Sequence, residues 1–155
     1  GICDIRKTRR SGGKWVLVDA SNPTVEQQIR RILRTKLAII VCVHNFSEAT
    51  KTIQLFDELN SDRLVVALKF AEIATPTSAQ TAAVKIREIM KQRGCNKSRI
   101  VVASKIEPSE AVEFVVEHDI DGVFLCDASF ADLLDALIPI VLESKSQDEK
   151  AIDRL

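Results

Sequence analysis

The stretch Arg63-Leu64-Val65-Val66-Ala67-Leu68-Lys69-Phe70, followed after Ala71-Glu72-Ile73 by Ala74-Thr75-Pro76-Thr77-Ser78-Ala79-Gln80, decides the fold. Its first half is an apolar run of strand length bounded by charged residues, the pattern of a strand buried in a parallel sheet. Its second half sets Pro76 ahead of a segment in which Val84, Ile86 and Ile89 form an apolar side and Gly94 ends the pattern. That spacing predicts a helix over 77–93. A strand that hands over to a helix is one βα unit, and its repetition makes a parallel sheet.

The same unit recurs outward in both directions. Runs rich in Val, Ile and Leu predict further strands at 15–18, 38–43, 100–103 and 122–125. Their weak alternation predicts helices or loops over both faces. Between them, Val25, Ile29, Ile32 and Leu33 predict a helix over 24–35 with Thr24 as its cap. Ile53, Phe56 and Leu59 predict one over 47–59 capped by Ser47, and Pro108 opens another that holds Ala111, Val112, Val115 and Val116. Residues 131–142 predict the last helix, disturbed by Pro139. Residues 144–155 are polar and read as a tail or docking segment. The fold class is therefore α/β, one domain of five parallel βα units over residues 1–143, with the tail at 144–155.

Composition bounds the function. The 155 residues suit one domain that buries about two-thirds of its unfolded surface. Apolar residues at 46% and charged residues at 28% make an ordinary globular balance. Lys plus Arg equals Asp plus Glu at 22 each, which removes any global electrostatic case for nucleic acid or an anionic membrane. The run Arg6-Lys7-Thr8-Arg9-Arg10 is a local exception and reads as a solvated segment. No stretch of 18 apolar residues is present for membrane insertion, and no secretory signal is visible.

Cys3, Cys42, Cys95 and Cys126 stand far apart, with no CxxC and no histidine at ligand spacing, so no metal site and no disulfide framework are expected. Buried thiols in a reducing intracellular compartment are the expectation, in the cytoplasm or an organelle interior, the mitochondrion included. His44 at a strand end reads as a hydrogen-bonded filler, and His118 as a partner of helix-terminal carbonyls. The chain begins with Gly1, which reads as a processed product or a fragment.

Five segments carry a resemblance that covers most of the chain. Lys14-Trp15-Val16-Leu17-Val18-Asp19-Ala20-Ser21-Asn22 resembles the fourth barrel strand of the triosephosphate isomerase family, K-W-V-I-L-G-H-S-E. LAIIVCV (37–43) is similar to the fifth strand, RLVVALKF (63–70) with ATPTSAQ (74–80) to the sixth strand and the A-T-P-x-x-A-Q helix start. SRIVVASKI (98–106) is similar to the seventh strand and DGVFLCDAS (121–129) to the eighth. The resemblance implies a TIM-barrel type of architecture, here partial or open, because a closed barrel needs eight strands and typically ~250 residues. The first three strands of that plan are not in this sequence.

The resemblance also implies where chemistry would sit, and those positions are degenerate. The family's electrophilic histidine falls on Ala20, its following glutamate on Asn22, and its glutamate base on Lys69. A lysine cation cannot take a proton from carbon unless strongly desolvated. Glu72, three residues on, reads as a surface or helix-entry carboxylate. The family's lid is shortened to Phe70–Ile73, and the glycines that approach a phosphate are replaced by Ala103-Ser104-Lys105 and Cys126-Asp127.

The sequence thus predicts a catalytically inactive isomerase-like protein that serves as a structural or interaction subunit, with other protein subunits covering the flanks of the sheet. Two alternatives stand beside it. One is an active or split isomerase. The other is a small-anion binding module in which Asp19, His44, Asn45, Lys69, Ser104, Lys105 and Asp127 form a residual ligand site, without metal or cofactor. Lys69 and Lys105 are expected to pair with Asp19 and Asp127.

Overall fold

The computed structural model describes residues 14–104 and 106–123. Five strands form one parallel sheet, β1 (Trp15–Asp19), β2 (Ala38–Val43), β3 (Leu64–Leu68), β4 (Arg99–Val102) and β5 (Gly122–Val123), in the spatial order β1-β2-β3-β4-β5. They alternate with helices α1 (Val25–Leu33), α2 (Phe46–Ile53), α3 (Pro76–Gln92) and α4 (Pro108–Val115), and a short 3-10 turn at Ser61–Arg63 leads into β3. Each crossover steps to the next strand in the same direction. Right-handed connection then puts every helix on one face of the sheet.

The burial pattern follows from that one-sidedness. Rows Val16-Ile39-Leu64, Val18-Val41-Val66-Ile100 and Val43-Leu68-Val102 point at the helices and are buried. They pack on Ile29 and Ile32 of α1, Ala49 and Ile53 of α2, Ala83, Ile86 and Met90 of α3 and Phe114 of α4. The opposite rows, Leu17-Ile40-Val65-Arg99 and Asp19-Cys42-Ala67-Val101-Gly122, are apolar in their middle and half-exposed towards the edge. Only β3 is buried along its whole length. The expected cover on both faces is therefore corrected: the low alternation in the sequence reflects a second apolar face that no described element covers.

The sequence ATPTSAQ is explained by its joints. Thr75 Oγ1 accepts from the Ser78 amide (3.1 Å), Ser78 Oγ accepts from the Thr75 amide (3.1 Å), and Pro76 supplies the first helical residue. Gln80 then grips Asp119 twice, its Nε2 donating to Oδ2 (2.6 Å) and its Oε1 accepting from the amide (3.0 Å). Two turns on, Arg87 donates to Ser98 O, Asp119 O and Asp121 Oδ2, tying α3 to the chain just ahead of β4 and of β5. Gly94, at φ +73°, ends this helix segment in the left-handed region that glycine adopts freely.

Several boundaries move. The helix expected at 47–59 is only Phe46–Ile53, because Asn45 caps it ahead of Ser47 and the chain leaves the helix in a turn; Phe56 is still buried while Leu59 is 91% exposed. Thr24 makes no side-chain cap; instead Asn22 Oδ1 accepts from the Thr24 amide (3.0 Å). His118 touches no helix carbonyl among the described residues; its exposed ring lies 3.4 Å from Asp119 Oδ1. Cys95 is a buried free thiol and Cys42 is half-buried. Among the described residues no helix is long and apolar enough to cross a membrane. Lys105, Asp127, Cys3, Cys126, the basic run, the helix expected at 131–142 and the tail boundary at 143 lie outside the described residues.

Candidate functional site

Parallel strands bring their carboxyl ends to one rim, so Asp19, His44, Lys69 and Ser104 meet there by topology alone. At the end of β1, Asp19 Oδ1 accepts from the Ser21 amide (2.8 Å) and from Ser21 Oγ (2.7 Å). Burial acts to raise the Asp19 pKa, but the two Ser21 hydrogen bonds and the charges of His44 and Lys69 outweigh it and hold the carboxyl below its ordinary value.

His44 follows β2 and is positioned by the first turn of α2. Its Nδ1 lies 2.9 Å from Glu48 Oε1 and 3.7 Å from Asp19 Oδ1, and its amide donates to the same Glu48 oxygen (3.1 Å). Asn45 Oδ1 accepts from the Glu48 amide (2.8 Å), the N-cap bond that starts the helix. Asn45, expected as a ligand group, thus works as a cap. Glu48, absent from the expected site, orients the imidazole; its place three residues after an asparagine was the available signal.

Lys69 is exposed at the end of β3, and no described carboxylate lies within 4.0 Å of it. The expected ion pair with Asp19 is not formed. β2 stands between β1 and β3, so two strand spacings of roughly 4.8 Å separate the ends, and His44 enters the gap. Asp19 still feels the lysine charge, as its lowered pKa records. After β4, the Ser104 hydroxyl is buried without a hydrogen-bond partner among the described residues.

Ala20 donates its amide to Cys42 O (2.8 Å) and adds only a methyl group to a cavity of about 280 Å³ beside Asn22, Val25, Glu48 and Leu55. The loop after β3 is packed down: Phe70 and Ile73 are buried, Ile73 donates its amide to Phe70 O (3.2 Å), and Phe70 meets Phe46 edge-on at 5.0 Å. Glu72 is exposed on that loop, as expected.

Chemically, the rim offers an ionised carboxylate, an oriented imidazole and a cation. Ser21 donates to Asp19 and not to His44, so the carboxylate sits where a nucleophilic serine would need its base. The model for triosephosphate isomerase matches residues 16–140. The chain belongs to the triosephosphate isomerase family. Its matched span includes β2 to β5 entire and all of β1 after Trp15. No curated protein matches the chain. In this triosephosphate isomerase family member, the positions that the resemblance assigns to the electrophile and the base hold the Ala20 methyl and the exposed Lys69 ammonium, more than one strand apart, and Asn22 accepts from the Thr24 amide.

Proposed function

We propose that this chain is a catalytically inactive member of the triosephosphate isomerase family, retained as a structural or interaction subunit of a larger protein assembly in a reducing compartment. The observation that carries the reading is Lys69 at the end of β3. An ammonium has no lone pair with which to take a proton from carbon, and Lys69 holds the position that the resemblance gives to a carboxylate base. Ala20 removes the partner electrophile, and the packed Phe70–Ile73 turn leaves no lid to exclude water.

Support for the interaction role comes from the sheet. Its uncovered face presents Trp15 and Leu17, 43% and 49% exposed, along a strand whose outer edge no described strand pairs. Other protein subunits are the proposed cover, since apolar edges of this kind invite association. A second reading, a small-anion module, is favoured by Lys69 without a described carboxylate and by the unpartnered Ser104 hydroxyl.

A coupled triosephosphate isomerisation assay on the purified protein, beside an authentic isomerase, tests the proposal. Activity at the level of the buffer blank is expected. Turnover that co-purifies with the folded protein and is lost on Lys69→Ala overturns it in favour of an active isomerase. Calorimetric titration with inorganic phosphate separates the second reading, in which heat of binding is lost on Lys69→Ala.

A further inference from the structure

The amino ends of the strands carry a feature that the isomerase plan does not use. A concave groove of about 620 Å³ is lined by Lys14, Trp15, Arg34, Thr35, Lys36, Leu37 and Ala38. Three of these side chains are cationic and none is acidic. Lys14, Arg34 and Lys36 are exposed, and among the described residues none has a carboxylate within 4.0 Å.

A fourth cation lies directly behind the lining. Arg63 donates from Nε and Nη2 to Leu37 O (3.0 and 2.7 Å), from Nη2 to Thr35 O (2.6 Å) and Ile32 O (3.2 Å), and from Nη1 to Leu33 O (3.3 Å). All its partners are carbonyls, so its charge is not neutralised by any described carboxylate. The helix dipole at the end of α1 is partial and already answered by this guanidinium. The sequence just upstream keeps the same sign, in Arg6-Lys7-Thr8-Arg9-Arg10.

Beside the cations stand apolar groups. Trp15 forms one wall, and Leu17, on the same side of β1, continues the apolar surface along the edge strand. We infer that this groove docks an acidic protein segment that carries apolar side chains, its carboxylates meeting Lys14, Arg34 and Lys36 and an apolar residue meeting Trp15 and Leu17. Desolvated cation–carboxylate contacts give such a site its selectivity, and the aromatic wall gives it an anchor.

Charge complementarity chooses the acidic segment over nucleic acid for two reasons. The chain as a whole has no net charge to steer a polyanion, and the groove has one aromatic ring where a single-strand platform stacks successive bases on several. The inference rests on the interaction-subunit reading and names its partner's chemistry. The isomerase assay judges that reading, and the titration below judges this one.

Trp15 is the chain's sole tryptophan, so intrinsic fluorescence reports on the groove directly. The probe is a short dye-labelled peptide of alternating aspartate and leucine, read by its anisotropy and, unlabelled, by Trp15 emission. Saturable binding with a Trp15 spectral change is expected, weakened about tenfold or more by Lys14→Glu/Arg34→Glu/Lys36→Glu and by raising salt. The neutral triple variant to Gln, and circular dichroism of both, guard against a folding defect; the salt titration of the unaltered chain needs no variant. No saturable binding, binding indifferent to salt and to both triple variants, or tighter binding of single-stranded oligothymidylate than of the peptide overturns the inference, the last by making the groove a nucleic-acid surface.

Discussion

At the carboxyl ends of the strands Asp19 holds Ser21 and His44 is held by Glu48, with Lys69 left beside no described carboxylate, whereas at the amino ends Lys14, Arg34 and Lys36 all face solvent with no described carboxylate beside them. The difference is one of duty. At the carboxyl rim the hydrogen bonds run mostly between residues two to four apart, and they start helices or close the turns that lead to them. At the amino rim Arg63 reaches back 26 to 31 residues and Arg87 holds the approaches to β4 and β5, whereas Lys14, Arg34 and Lys36 have no described carboxylate to serve. Most polar groups of the carboxyl rim serve the fold, whereas the three cations at the amino-end groove are suited to a partner.

Arg63 gives the strongest way to break that comparison. Arg63→Ala strips the donor from four carbonyls at the end of α1 and before β2, and unsatisfied part-buried groups cost about 1–3 kcal/mol each when nothing replaces the donor. Water reaches some of them, so a loss of about 3 kcal/mol is expected in urea unfolding. Arg63→Lys should recover only part, since one ammonium cannot span the set. If Arg63→Ala unfolds at the midpoint of the unaltered protein, the clamp is ornamental and the division of labour fails.

Asn45 sharpens the other side. If it is a cap and not a ligand group, Asn45→Ala should cost about 1 kcal/mol of stability, and Asn45→Ser or Asn45→Asp should restore most of it. Thermal unfolding of the three variants decides; equal stability of Asn45→Ala and the unaltered protein would return Asn45 to the ligand set.

The smallest effect is the pH dependence of Asp19. Its folded pKa is depressed, so the stabilisation is present above the ordinary aspartate pKa and is lost as pH falls through the folded value. The unaltered protein should therefore melt above Asp19→Asn at neutral pH, with the gap closing below about pH 4. A gap that is the same at pH 7 and pH 3, measured by thermal melts in one buffer series, would show that the Ser21 and His44 contacts do not hold the carboxylate.

Much of this molecule was legible in its sequence. The strands at 38–43 and 64–68 match the structure residue for residue, the one expected at 122–125 matches over its described residues 122–123, and those expected at 15–18 and 100–103 differ by one residue, because a strand between two helices must be apolar wherever it meets the core. Pro76 and Gly94 marked the ends of α3 for local steric reasons that need no tertiary partner. The family resemblance likewise placed Ala20 and Lys69 at strand ends before any geometry was in view, since order along the chain fixes which strand end each one occupies.

Three-dimensional packing decided the rest. Leu59 continues the apolar spacing of Ile53 and Phe56, yet the helix has already ended and the side chain is out in water. Asp19 and Lys69 have opposite charges on one rim, but β2 separates them and delivers His44 to the carboxylate instead. Apolar period and steric stops act within a few residues and can be read along the chain. The pairing of charges depends on distances between segments far apart in sequence, and only strand order sets those.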